Sequence, residues 1–477
     1  PKEKGIIRSL KNLAKKASSI VIATDFDREG ELIGLDALDI VRGENPDAPI
    51  TRARYSAFIK KEIQEAFSAE NLVELDFDLA HAGESRQHID LIWGAVLTRY
   101  LTAVKYSGIG NVRSAGRVQT PTLALVVAKE QERQAFVPED YWVISGKFAP
   151  QGKADEEFGG GHVDNNFKEE AKANRAFAQV ENATSAKVAS VTKKLRKASV
   201  PAPFNTTSLQ AAASGIGIRP SRTMRIAESL YMSGYITYPR VDNTVYPDGL
   251  DYTATLKMLA GNPAYAPYAD AIIADAKDKG YHPTRGKQFS TDHPPIYPTG
   301  LGDPDKLRPE EWKLYNLIAR RFMATLMDPA QIEGTTVLLD VNGEQFKAKG
   351  DVLVVPGWRG VYQYGLKKDE QMPAIAEGDV LDFSSPLCEK KQTQPPARYS
   401  TGKLVQEMEK CGLGTKATRA DMIEKLYGRK YIVNDPIEPT QLGFAVIDAL
   451  QRFAPSITTP DMTAELEVEM TNIAEGK

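Results

Sequence analysis

The chain has 477 residues, of which 42% are hydrophobic and 26% charged, with a net charge of −3. That length calls for roughly three or four compact units of ordinary soluble composition. No apolar run approaches the roughly 20 residues of a membrane span, no signal-peptide pattern is present, and the slightly acidic balance excludes a wholly basic surface while leaving room for local basic grooves.

Residues 6–17 have helical spacing with a lysine-rich outer face. Ile20-Val21-Ile22-Ala23 then reads as a buried parallel strand. It runs into Thr24-Asp25-Phe26-Asp27-Arg28-Glu29-Gly30-Glu31 and a helix over 32–41. Strand, acidic turn and helix make an α/β unit, and ligands bind at the carboxyl end of such a strand. Asp25, Asp27 and Glu29 alternate, so all three can face one point. Carboxylates so close repel unless a cation sits among them, and hard oxygen donors suit Mg²⁺. The competing reading is an acidic helix start that matches the helix dipole.

A strand over 50–58 and a long helix over 79–100 follow, with His88 on the surface. Gly108 to Pro121 is a Gly/Ser/Arg/Gln loop entering an apolar helix at 122–128. Small residues, arginines and an amide before a helix start make a phosphate cradle or a structural turn. Residues 141–149 and 186–194 alternate as strands, with a polar, glycine-rich mobile loop expected at 151–166. Pro201-Ala202-Pro203 marks a linker. Helices are expected within 204–234 and over 312–327, and Asn342-Gly343 marks a hairpin between alternating runs. The segments 140–200 and 330–385 both read as β, with an α-rich insertion between them. Residues 400–477 read as mostly helical and include a second Gly/Thr/Lys/Arg turn, Gly412 to Arg419. Cys388 and Cys411 form no Cys-x-x-Cys, so neither a zinc module nor a disulfide framework is expected and a reducing cytosol is.

Tyr235-Ile236-Thr237-Tyr238-Pro239-Arg240-Val241-Asp242 places a phenol beside a guanidinium. A phenol, with its pKa of about 10, becomes a useful nucleophile beside positive charge. His293, in Asp292-His293-Pro294-Pro295, is held by prolines and is either a surface histidine or a phosphate contact.

Together these motifs resemble the type IA DNA topoisomerases, in the family's order and over nearly the whole chain. Asp25-x-Asp27-x-Glu29-Gly30 resembles the family's Toprim metal site. Ser114 to Pro121 resembles its helical-domain signature, Phe204 to Gln210 the entry to its nucleophile domain, and Tyr235 to Asp242 its active-site motif, with Tyr238 as nucleophile. His293 falls where the family has a phosphate-contacting histidine. Pro395-Pro396-Ala397-Arg398-Tyr399 and Gly412 to Arg419 resemble its DNA-groove elements. The wording around Asp25 and Gln119-Thr120-Pro121 is most similar to the archaeal topoisomerase I and topoisomerase III branch.

The resemblance implies a multidomain α/β plus α+β fold: a Toprim α/β domain, helical domains and a β-rich hinge domain forming a toroidal clamp. The implied segments are Toprim 1–65, helical 66–139 and 399–477, β-rich hinge 140–203 and 329–398, and nucleophile domain 204–328. It implies catalysis by Tyr238, Arg240 and His293, with Mg²⁺ at Asp25, Asp27 and Glu29. DNA contacts are implied at Arg86, Arg113, Ser114, Arg117, Gln119, Asp242, Thr415, Thr418 and Arg419. The implied partners are single-stranded DNA and negatively supercoiled DNA, handled by a monomer in the cytoplasm at the nucleoid, with no membrane. The reaction implied is ATP-independent relaxation through a 5′-phosphotyrosine. The family's first strand, with its catalytic glutamate, has no counterpart before Pro1. A Toprim nuclease or primase, or a catalytically impaired DNA-binding fragment, therefore stays open.

Overall fold

The computed structural model describes residues 2–105, 114–290, 293–366 and 371–477; Arg113 and Asp292 lie outside these. The chain divides into two compact units, one made of Pro1–Glu130, Pro201–Leu326 and Arg398–Lys477, the other of Gln131–Val200 and Met327–Ala397.

The first unit opens with α1 (Lys2–Ala14), β1 (Ile20–Ile22), α2 (Arg28–Arg42) and β2 (Ile50–Arg52). β1 and β2 pair in parallel, Ile20 opposite Ile50. The strand expected over 50–58 stops at Arg52. Beyond it the Glu62 carboxylate takes the Ser56 and Ala57 N–H groups, so these amides go to a side chain instead of a ladder. Glu62 lies in α3 (Lys60–Ala66), which precedes α4 (Phe77–Lys105) and α5 (Gln119–Ala135).

The second unit takes over with β3 (Asp140–Pro150), β4 (Phe158–His162), α6 (Glu170–Val180) and β5 (Ser185–Ala198). The mobile loop expected at 151–166 is corrected here, because residues 158–162 form a barrel strand. One of its glycines is a packing device: a Cβ on Gly160 would come 2.7 Å from the Phe148 ring.

The chain returns to the first unit for α7 (Thr206–Gly215), α8 (Pro220–Met232), α9 (Tyr252–Leu259), α10 (Ala266–Lys279) and α11 (Pro309–Thr325). Asn205 and Ser208 cap α7 reciprocally, and Pro220 and Pro309 start α8 and α11, where a missing N–H costs nothing. Then β6 (Ala330–Val341), β7 (Glu344–Val355) and β8 (Val380–Gln392) complete the barrel, in the closed order β3-β4-β7-β6-β5-β8. Asn342 and Gly343 both take positive φ, 52° and 91°, as a two-residue hairpin turn requires. Ile144, Phe148, Val188, Leu339, Phe346 and Phe383 fill the barrel's core.

The last part of the first unit holds α12 (Thr401–Lys410), α13 (Arg419–Gly428), the short β9 (Ile432–Val433) and β10 (Glu438–Pro439), α14 (Gln441–Phe453) and α15 (Asp461–Ala474). Leu123, Val127, Leu404, Met408, Leu426 and Ile447 share one core there. Among the described residues no helix is long and apolar enough to cross a membrane.

Candidate active site and basic cavity

The acidic turn is built from beneath. Arg52 at the end of β2 is fully buried and pairs with the equally buried Glu31 at 2.8 Å. Its other amino group donates to the Asp25 carbonyl at 3.0 Å. Asp27 caps α2, its Oδ1 accepting from Gly30 N at 2.8 Å. Gly30 is obligatory, since a Cβ there would lie 1.9 Å from the Asp25 carbonyl oxygen.

Two phenols face this turn from α8 and the loop after it. Tyr238 donates to Asp27 Oδ2 at 2.5 Å and Tyr231 to Asp25 Oδ1 at 3.3 Å, their rings 5.2 Å apart. Residues more than two hundred apart in sequence thus meet. Just before Tyr238, Ile236 makes an isolated bridge with Pro298. The Tyr238 loop is fixed by scattered side-chain and backbone bonds. Thr206 donates to Pro239 O at 2.8 Å, Thr237 to Pro295 O at 3.0 Å, and Tyr238 N to Ser56 O at 2.7 Å.

His293 packs its ring 4.7 Å from the Tyr238 ring. Nε2 donates to the Phe26 carbonyl at 2.6 Å, which can only accept, and Nδ1 lies 2.8 Å from Ser56 Oγ. Of the two readings offered for His293, the surface one is excluded, as the residue is 3% exposed. Both ring nitrogens are engaged by protein, so a phosphate contact requires one of these bonds to give way. Arg240 is held by Glu228, Nε at 3.0 Å, although its charge still reaches Tyr238 and Asp27.

Electrostatics follow from burial. Burial first, then the charges of Asp27 and Asp25, push the Tyr238 phenol far above its usual range, with Arg240 opposing. Burial and the Asp27 charge raise Asp25 as well, against the hydrogen bond from Tyr231. Burial would lower the Arg240 guanidinium, but Glu228 outweighs it and the net shift is upward.

Of the expected three-carboxylate metal set, Asp25 and Asp27 stand together at the turn. Glu29 is held by Arg86, and among the described residues no three His, Cys, Asp or Glu side chains are grouped to hold a metal ion. What fits a divalent cation is the aspartate pair. Asp25 and Asp27 are close enough for one charge to raise the other's pKa, and both have oxygen donors of the hard type Mg²⁺ prefers.

Beside α4 and α5 lies a cavity of about 390 Å³. It gathers Arg86, Ser114, Arg117, Gln119 and Thr418 of the expected DNA contacts. Two of the expected contacts are buried and engaged within the protein. Arg117 is spent on Asp90 at 2.8 Å and Glu467 at 3.0 Å. Arg419 is buried and turned to Thr207 and Glu409; burial lowers its pKa against the Glu409 charge. Thr415 and Thr418 close their own turn, Thr415 N donating to Thr418 Oγ1 at 3.0 Å. Asp242 sits 3.8 Å from Lys416. The cations that the sequence reading passed over are Lys425 and Arg429, both lining the cavity. Their spacing of one helical turn after the Gly412–Arg419 turn was the available signal.

A tyrosine buried against an acidic turn at the end of a parallel strand defines an α/β site suited to phosphoryl transfer, and comparison with known proteins identifies the family. Residues 1–58 match the Toprim domain and residues 74–477 match the DNA topoisomerase family. The chain is 44% identical to DNA topoisomerase 1 of Archaeoglobus fulgidus over 100% of its own length and 69% of that protein. It is 41% identical to the Thermoplasma acidophilum DNA topoisomerase 1, over 99% of its length and 59% of that protein. Human DNA topoisomerase 3-alpha is 31% identical over 99% of this chain and 47% of its own. Full-length topoisomerase I from Thermotoga maritima superposes with a TM-score of 0.78 at 28% identity, covering 99% of this chain and 77% of that one. The chain belongs to the type IA DNA topoisomerase family, whose members are isomerases.

Proposed function

We propose that the chain cleaves and reseals one strand of DNA through Tyr238, relaxing negatively supercoiled DNA without ATP. The observation that carries this is the 2.5 Å hydrogen bond from the Tyr238 phenol to Asp27. It supplies a nucleophile with a proton acceptor already in contact. The phenol oxygen bonds to phosphorus as the bond to the 3′-oxygen breaks. The product is a 5′-phosphotyrosine, and the reverse attack reseals the strand. The phenol proton passes to Asp27 and from there, relayed through solvent, to the departing 3′-oxygen, so that one proton moves in all. Arg240 and His293 stand beside the phenol, placed to stabilise charge on the phosphoryl oxygens, a contribution of about 3–4 kcal/mol per donor in comparable sites. Mg²⁺ on Asp25 and Asp27, when bound, would neutralise the aspartate pair and hold the cleaved ends.

Tyr238 is only 3% exposed, so a strand enters when the contacts of residues 201–326 with the acidic turn part. In this reading residues 201–326 carry the nucleophile, the barrel is the hinge, and Arg86, Ser114, Gln119, Thr418, Lys425 and Arg429 guide the strand. The chain works as a monomer at the nucleoid.

Tyr238→Phe should bind single-stranded DNA yet give no covalent adduct on a denaturing gel, while Tyr231→Phe should still give one. Adduct with Tyr238→Phe would transfer the role to another tyrosine and sink the assignment. Absence of adduct and of supercoil relaxation in the parent chain would favour the impaired, DNA-binding reading.

A further inference from the structure

The outer face of the barrel carries a basic trough with no part in the chemistry above. Two grooves, of about 420 and 800 Å³, lie on it, and Lys347 and Lys349 of β7 line both. On one side Thr336 of β6 stands opposite Lys349 and Thr192 of β5 opposite Thr336, with Lys194 two residues on. On the other side Gly161 of β4 stands opposite Lys347, and Gly159 opposite Lys147 of β3.

Strand alternation explains why the cations share a face. Phe148, Phe346 and Ala348 point into the core, so Lys147, Lys347 and Lys349 point out and are exposed. The same alternation turns Gly160 inwards over Phe148 and turns Gly159 outwards, where a Cβ would meet nothing within 4 Å. The missing side chains of β4 therefore leave a bare floor between Lys147 on one side and Lys347 and Lys349 on the other.

The charges are only partly spent. Lys147 pairs with Glu157 at 2.6 Å and Arg196 with Asp351. Among the described residues Lys194, Lys347 and Lys349 have no ion-pair partner, and all three are exposed. The grooves are lined mainly by Thr, Gly, Ser and Lys, with Arg196 and its partner Asp351 in one and His162, Asn165, Val163, Ala348 and Leu387 in the other, and with no Phe, Tyr or Trp. Such a lining suits phosphate oxygens and offers no platform for stacked bases.

We propose that this trough binds the phosphodiester backbone of a DNA strand, independently of sequence and apart from the Tyr238 site. The proposal rests on the reading that the chain acts on DNA. Three phosphate contacts at about 0.7 each would add about 2 to the slope of log affinity against log salt for a single strand.

The test uses the full chain, a labelled thirty-residue oligothymidylate and the triple variant Lys194→Ala/Lys347→Ala/Lys349→Ala. The salt slope should become shallower by about 2, and affinity at low salt should fall on the order of tenfold. Adduct yield at saturating DNA should not change, and the corresponding triple arginine variant should behave as the parent. An unchanged slope and affinity would overturn the proposal, as would a loss that the arginine variant shares, which marks a structural effect. If binding falls as expected but the parent forms no adduct, the Tyr238 reading fails and the trough stands.

Discussion

The acidic turn and the basic cavity hold their charges in opposite ways. At the turn, Asp25 and Asp27 lie side by side and are met by two phenols, Tyr231 and Tyr238, and by the more distant charge of Arg240. Among the described residues no Lys or Arg side chain forms an ion pair with either aspartate. In the cavity, Arg86 and Arg117 are matched to Glu29, Asp90 and Glu467, while Arg419 turns to Glu409 behind it. A charge cluster already paired by the fold is scaffold. A cluster left like-signed under burial stores repulsion that a ligand can relieve. The turn is the region poised for a cation and for proton transfer. The cavity offers a ligand only the cations it has not paired.

The contrast is broken most severely from underneath the turn. Arg52→Met would leave Glu31 buried and unpaired, which costs about 3–5 kcal/mol. Denaturant unfolding should show that loss, and Arg52→Met/Glu31→Leu should recover most of it. If the single variant is as stable as the parent, the turn does not depend on this ion pair.

The same operation in the cavity should cost less. Arg117 is wholly buried, but its partner Asp90 is 41% exposed and can return to water when the pair is broken. Arg117→Met should therefore lower stability by about 1–3 kcal/mol, with DNA affinity reduced only as far as the fold is. A large loss of affinity at full stability would restore Arg117 to the DNA-contacting role its motif suggested.

The sequence made the turn, the tyrosine and the two β segments legible because each is written locally: an apolar run before Asp25, Pro239-Arg240 after Tyr238, Asn342-Gly343 between alternating strands. What stayed hidden depends on partners remote in sequence. Nothing near Arg117 announces Glu467, and nothing near Glu29 announces Arg86. The glycines at 159–161 read as a loop because the Phe148 ring that demands Gly160 lies on another strand. Likewise His293 was placed by its prolines, yet its bonds to Ser56 and Phe26 could not be read from them.

The smallest effect concerns the cations left over in the cavity. Lys425 has no ion-pair partner among the described residues, and Arg429 donates to the Gln119 amide oxygen instead of a carboxylate. Burial lowers the Arg429 pKa, yet a guanidinium stays charged in a protein, so it keeps a full charge for a phosphate. Lys425→Ala and Arg429→Ala should each make the salt dependence of single-strand binding shallower by about 0.7, with stability nearly unchanged for the lysine. Arg429→Ala also frees Gln119, whose other end donates to Ser114 O at 3.0 Å, so that variant should shift the cleavage pattern on a labelled strand as well as the affinity. Equal salt slopes in parent and both variants would mean that the cavity is as fully paired as the scaffold around it, and the distinction between the two regions would then rest on the acidic turn alone.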